Sequence, residues 1–265
     1  MHSKILSKLP QGFPWRESIH HFPEVASTNT LAKELAQKGA PHGTVLIADM
    51  QTGGRGRMGR SFHSPAGSGI YLSVILRPQC HASRLMHLTC ATAVAMCSAV
   101  EAATGLCPGI KWTNDLVCGT KKLGGILTEL SLATDGNVSY AVVGVGINCL
   151  QKPGDFPEEI QSIATSLSMV SERPVDRSAV AAEMIRALEQ MSGELLTNQA
   201  GIMDAYRKNC ITVGREISVS CVDSLRHGVA ESICDDGALT VRFSDGHLES
   251  VSAGEVSIRG MYGYI

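Results

Sequence analysis

The sequence predicts an α/β protein in two parts, a mixed-sheet domain over residues 1–210 and a small β-barrel over residues 211–265. Three observations predict it. Strand-like and helix-like segments alternate through the first part. Short strands set off by Asp-Gly turns fill the second. The composition, 44% hydrophobic and 18% charged, supplies enough apolar side chains to bury a sizeable core under both.

The elements follow in order. His20–Val25 and Thr44–Asp49 are rich in β-branched residues and read as strands. Between them Leu31, Ala32, Leu35 and Ala36 form the stripe of a helix over Thr28–Lys38, which Ser27 or Thr28 can cap and Gly39 can end. Ile70–Leu76 is a further strand, stopped by Pro78, and Leu85–Thr104 a long Ala-rich helix closed by Gly105. Gly125–Leu132 and Ser139–Val145 read as a hairpin joined around Asp135-Gly136-Asn137. Asp176 is placed to cap a helix running to Leu196. Glu216–Val222, Gly228–Ile233, Ala238–Phe243 and His247–Val251 are the strands expected of the barrel.

Charge and cysteine usage narrow the function classes. A formal net charge of -2 lacks the basic surplus of a non-specific nucleic-acid binder. The nine cysteines have irregular gaps and no C-x-x-C pair, so free buried thiols in a reducing cytoplasm are expected. The N-terminus carries no sustained apolar run, so no signal peptide is expected. Leu85–Ala103 is the most apolar stretch, but His87, Thr89, Thr92, Ser98 and Glu101 make it a core helix rather than a membrane span. His20-His21 has no Cys/His cluster around it at ligand spacing, and no protein metal site is expected.

The segment Gln51–Arg60, QTGGRGRMGR, carries the letters of a dinucleotide-binding turn in Gly54, Gly56 and Gly59. Its context rules that reading out. Pro65, Gly67 and Gly69 follow where a helix would have to start, and no acidic residue lies at the ribose-binding distance. The charge pattern is more informative. No Asp or Glu occurs between Asp49 and Glu101, while Arg55, Arg57, Arg60, Arg77 and Arg84 all lie there. Glycines let backbone N–H groups approach a ligand, and arginine forks suit phosphate or carboxylate. A glycine-rich loop of like charges is expected to be mobile when empty and to order on an anion.

Three further groups of residues stand out. Lys111 is followed by Trp112, Thr113, Asn114 and Asp115, so a cation, a flat apolar ring, an amide and a carboxylate converge. Asp115 can orient Lys111 or, with Asn114, approach a metal–phosphate group. Gly144 and Gly146, next to Asn148 at a strand end, would let backbone approach a flat ligand while the amide reads an adenine edge. Ser27, Thr28 and Asn29 either cap a helix or hold a small polar head group.

In combination these stretches resemble the biotin–protein ligases. QTGGRGRMGR, SPAGSGIYLS, KWTNDL, KKLGGILTE and VVGVGIN stand in the family's order over roughly residues 25–170, and GEVSIRG resembles the end of its small barrel. The resemblance implies a catalytic domain related to lipoate ligases, followed by an SH3-like barrel. It implies a two-step reaction in which biotin and ATP, with Mg2+ carried on the nucleotide, give biotinyl-5′-AMP. The acyl group then passes to a lysine of a biotin carboxyl carrier protein, from acetyl-CoA carboxylase or a related carboxylase. By the same resemblance Ser27, Thr28, Asn29 and Gln51 hold the ureido end of biotin, while Arg55, Gly56 and Arg57 close over biotin and the adenylate. Lys111 bridges the biotin carboxylate and the α-phosphate and, with Arg57, is catalytic. Arg57 and Arg60 contact the phosphates and Asn148 the adenine, and Gly54, Lys111, Asn114 and Asp115 complete the ATP and adenylate site.

The sequence departs from the family at two positions. Thr113 stands where proline is usual, which would loosen that loop, and Phe62 where tryptophan is usual, which keeps an aromatic wall without its N–H. The ligase-like region starts near residue 20, so the N-terminal DNA-binding domain of the bifunctional members, and with it a repressor role, is not expected. No DNA or membrane partner is expected. A homodimer formed through the sheet is possible within the family, and a cytoplasmic location is expected. Two other readings remain open at this point: a ligase for lipoate or another acyl chain on the same fold, and a non-catalytic ligand-binding protein.

Overall fold

A computed structural model of the chain describes residues 1–221, 224–252, 255–258 and 261, with backbone alone at Cys221, Ser224 and Glu255. The first strands are β1 (Ile19–Val25), β2 (Thr44–Gln51), β3 (Gly69–Leu76) and β4 (Gly109–Lys111), followed by β5 (Asp115–Cys118), β6 (Lys121–Leu132) and β7 (Val138–Asn148). They form one sheet in the order β1-β2-β3-β7-β6-β5-β4. β1 and β2 are parallel and every other neighbouring pair is antiparallel, so the sheet is mixed.

The helices are α1 (His2–Leu6), α2 (Thr28–Gln37), α3 (Leu88–Thr104), α4 (Glu158–Gln161), α5 (Leu167–Val170), α6 (Arg177–Glu194) and α7 (Gln199–Asn209). Strand alternation sends side chains to both sheet faces. Leu46, Ile75 and Val142 pack on Ala32 and Ala36 of α2, while Val45, Ile47, Val74 and Val143 enter the larger core with α3, α6 and α7. α3 is apolar and long enough, with the turn before it, to cross a bilayer, but here it is the central core helix. It starts at Leu88, three residues later than expected, because Ala82–Leu85 forms a separate 3-10 turn. It ends at Gly105, whose φ of 75° is the left-handed cap that glycine permits. Asp176 caps α6 by accepting from the Ser178 and Ala179 amides.

The second sheet joins β8 (Glu216–Cys221), β9 (Ser224–Ile233), β10 (Leu239–Phe243), β11 (Leu248–Val251) and β12 (Glu255–Ile258) in the antiparallel order β11-β10-β9-β8-β12, consistent with an SH3-like unit. Val222 of the expected first barrel strand lies outside the described residues, as do Gly254, Arg259 and Gly260 of the GEVSIRG segment. The two sheets are stitched together at Trp112. Its backbone N–H donates to Thr212 Oγ1 at 2.8 Å and its indole N–H to the Gly237 carbonyl at 2.8 Å. The eight cysteines with described side chains are all free thiols, but only Cys90, Cys97, Cys149 and Cys210 are buried; Cys80, Cys118 and Cys234 are half-buried and Cys107 is exposed.

Candidate active site

The face of the large sheet that carries α2 also carries a cavity of about 440 Å3, within the usual range for small-molecule sites. Its floor is the sheet around Gly144–Gly146 and Gly125–Leu127, and its lid is the arginine loop. Phe156, Ile160, Ile163 and Ala164 make an apolar wall, and Val256 and Ser257 of the second sheet close one side. The lid is held by its own backbone. The Gly56 N–H donates to Arg60 O at 2.7 Å and Phe62 N–H to Gly54 O at 2.9 Å, with Met58 and Gly59 both at positive φ in the turn.

One end of the cavity is polar. Ser27, Thr28 and Asn29 open α2, so the capping residues and the head-group candidates are the same residues. Ser27 Oγ lies 3.5 Å from the Thr30 amide it caps. Gln51 Oε1 accepts from the Thr28 N–H at 2.8 Å and hydroxyl at 3.1 Å, and Gln51 Nε2 donates to Ser64 Oγ. Ser73 Oγ, fully buried in β3, lies 2.6 Å from Asn29 Oδ1 and 2.8 Å from Thr28 Oγ1, with one proton to share between them. These groups form a network that the fold orients before any ligand arrives.

The other end is cationic. Lys111, at the end of β4 and only 6% exposed, lines the cavity, as do Arg57, Arg60 and Lys122. Arg57 reaches across to donate to Asn114 Oδ1 at 2.9 Å, so the lid is tied to the turn between β4 and β5. Asn114 Nδ2 donates to Ile126 O, and Asp115, opposite Lys111 in the β4–β5 pairing, forms a 2.6 Å ion pair with Lys122. Lys122 is a residue that sequence reasoning missed. A lysine beside another in a strand carries no signal until strand pairing sets it against Asp115. Among the described residues no group of three or more His, Cys, Asp or Glu side chains converges as a metal site. His21 Nε2 instead lies 2.9 Å from Asp49 on β2.

Several expectations change on this geometry. Gly144 and Gly146 do line the cavity floor, but their missing Cβ atoms also make room for this chain's own side chains. A Cβ on Gly144 would lie 1.9 Å from Asn29 Oδ1, and one on Gly146 2.5 Å from the Phe62 ring. Gly54 does not line the cavity. Its missing Cβ makes room for Phe62 O and Ser64 Oγ, so its role is to close the lid. Asn148 does line the cavity, but its amide already donates to Thr165 O at 2.9 Å and accepts from Gln151 Nε2 at 3.3 Å, which leaves one N–H and one lone pair for a ligand. The loop at Thr113 is held rather than loose, since Thr113 O accepts from the buried Tyr206 hydroxyl. Every other expected contact residue, from Ser27 to Asp115, borders the cavity.

Comparison with known proteins points to one family. The sequence profile of the biotin/lipoate A/B protein ligase family matches residues 22–148, a span that contains every expected site residue. The biotin--[acetyl-CoA-carboxylase] ligase of Mycobacterium tuberculosis is 32% identical over 251 residues, covering 92% of this chain and 90% of that protein. The chain belongs to the biotin–protein ligase family. The bifunctional ligase/repressor BirA of Bacillus subtilis is 36% identical over 86% of this chain and 70% of its own length. A solved biotin protein ligase of Aquifex aeolicus, in complex with biotin and ATP, superposes with a TM-score of 0.75 at 27% identity, covering 91% of this chain and 98% of that one. In this member of the family the arginine lid, the Lys111 turn and the α2 N-terminus border one cavity.

Proposed function

We propose that this chain activates biotin with ATP and passes it to a lysine of a biotin carboxyl carrier protein, using the residues of this cavity. The observation that carries the residue roles is the polarity of the cavity, with a preset hydrogen-bond network at one end and Lys111, Lys122, Arg57 and Arg60 at the other. A carboxylate oxygen of biotin attacks the α-phosphorus of ATP, the bond to the β-phosphate breaks, and pyrophosphate leaves. The carrier amine then attacks the acyl carbon, AMP leaves, and a proton is released. In the first step two anions must meet, so the main task is to position them and neutralise charge.

Thr28, Asn29 and Gln51 hold a head group that both donates and accepts, as a cyclic urea does. A dithiolane would leave the second N–H of Gln51 Nε2 and the second lone pair of Asn29 Oδ1 unmet, which disfavours lipoate. Lys111 lies where the acid and the α-phosphate meet, while Arg57 and Arg60 face the phosphates from the lid. Mg2+ would ride on the triphosphate, with Asp115 and Asn114 the oxygen donors near it. Both already bond to Lys122 and Arg57, so the ion gains at most one or two protein ligands.

The test is ATP–pyrophosphate exchange with biotin, lipoate, octanoate or no acid. Exchange that requires biotin supports the proposal. Exchange with lipoate instead would overturn the pocket assignment, and no exchange with any acid would overturn activation altogether.

A further inference from the structure

We propose that Glu129 is a positioning residue that couples the floor of the acid-binding pocket to the arginine lid, so that occupation of the one holds the other closed. The proposal rests on the reading that this cavity binds biotin.

Glu129 stands on β6 two residues beyond Leu127, which lines the cavity, but it does not itself border the cavity. Its two carboxylate oxygens do different work. Oε2 accepts from Asn29 Nδ2 at 3.0 Å. Oε1 accepts from Lys33 of α2 at 2.8 Å and from Arg55 of the lid at 3.4 Å. One side chain therefore ties together the floor, the helix that presents Thr28 and Asn29, and the lid. Burial acts to raise the Glu129 pKa, but the bonds from Lys33 and Asn29 and the charge of Arg55 outweigh it. The carboxyl is held below its ordinary range and stays ionised at neutral pH.

The orientation of Asn29 depends on this carboxylate. Its two amide hydrogens go to Glu129 Oε2 and to Leu127 O at 3.2 Å, so its Oδ1 points toward Ser73 and into the space left by Gly144. An acceptor is needed on the Glu129 side for that orientation to persist, because a flipped amide would set Oδ1 against the carboxylate. The link to the lid is the weaker one. Arg55 is 46% exposed, and an exposed pair at 3.4 Å contributes little by itself. It therefore acts as a bias on the lid and not as a lock. A ligand that stiffens Asn29 also stiffens Glu129, and so shifts the lid toward the closed arrangement.

The experiment uses the full chain, Glu129→Gln, and biotin alone. Biotin affinity is measured by calorimetry, and the lid is probed by limited trypsin cleavage after Arg55, Arg57 and Arg60, with and without biotin. In the unsubstituted protein biotin slows cleavage in the lid. In Glu129→Gln, whose amide nitrogen can no longer accept from both Asn29 and Arg55, affinity falls about ten-fold and biotin protection of the lid weakens by about two- to five-fold. Glu183→Gln, which loses only an ion pair with Arg186 within α6, is the control, and it keeps both readouts within about two-fold of the original. Thermal melting of each variant separates these effects from unfolding. Unchanged affinity and protection in Glu129→Gln would overturn the proposal. A loss of affinity with protection intact would overturn the coupling. Absence of biotin binding by the unsubstituted protein would overturn the functional reading instead.

Discussion

Asn29 occupies the volume that a side chain at Gly144 would need, with its Oδ1 only 1.9 Å from where a Cβ on that glycine would stand. The helix start and the sheet floor are thereby fitted to one another at the polar end of the cavity. Gly144→Ala must push Asn29 out of its network, and overpacking of this kind costs about 1–3 kcal/mol. The expected outcome is a rise of about ten-fold or more in the biotin KM of pyrophosphate exchange, together with a lower melting temperature. Gly193→Ala is the control. It sits on an exposed face of α6, where an added Cβ would meet nothing within 4 Å, and it should stabilise the protein by about 0.5–1 kcal/mol. An unaltered biotin KM in Gly144→Ala would show that Asn29 does not set the acid site.

Lys111 is buried at the cationic end, at the close of β4 and opposite Asp115. A charged contact made mainly in the transition state is worth about 10²–10³ in rate. Lys111→Ala is therefore expected to lower kcat for adenylation by that factor and to change the biotin Kd far less. Single-turnover formation of the adenylate measures the first quantity and calorimetry the second. Adenylation at the original rate would remove Lys111 from its catalytic role.

Much of this is legible in the sequence, and the reasons differ from part to part. The β-branched runs and the Ser27 and Asp176 caps are local signals, and local signals survive folding. α7 gives no such signal, because its buried side chains, Ile202, Met203 and Tyr206, form a short stripe in an otherwise polar segment. β5 gives none because four residues carry almost no periodicity. At the site, the loop arginines and Lys111 are readable from charge and spacing. Their second partners are not. Lys122 with Asp115, Glu129 with Asn29 and Phe62 over Gly146 all depend on how β5, β6 and β7 line up, and pairing across a sheet has no local signature.

Trp112 joins the turn between β4 and β5 to the second sheet by donating its indole N–H to Gly237 O, and the residue is 4% exposed. Trp112→Phe keeps a ring but strands a buried carbonyl, which costs about 1–3 kcal/mol. A lower denaturation midpoint is expected. The ATP KM should also rise, because Val256 and Ser257 of that sheet wall the cavity. Titration with denaturant and exchange at varied ATP measure the two effects. A lower midpoint with an unchanged ATP KM would confine the second sheet to a structural role.

The buried thiols give the protein an alkaline limit. Burial pushes Cys90, Cys97 and Cys149 each up to about 12, against about 8.5 for a thiol in the unfolded chain. Below about pH 8.5 both states are protonated and the full stability is present. Between about 8.5 and 12 the unfolded state loses these protons first, so stability falls as pH rises. Tyr71 and Tyr206, whose phenols are also raised by burial, act in the same direction once the unfolded phenols begin to ionise near about pH 10. Each thiol contributes a loss on the order of 1–2 kcal/mol by about pH 10. With reductant present, the urea midpoint should therefore be clearly lower at about pH 10 than at about pH 7.5, and Cys149→Ala should shrink the difference. Equal midpoints at the two pH values would mean that these thiols ionise in the folded protein as easily as in the unfolded one.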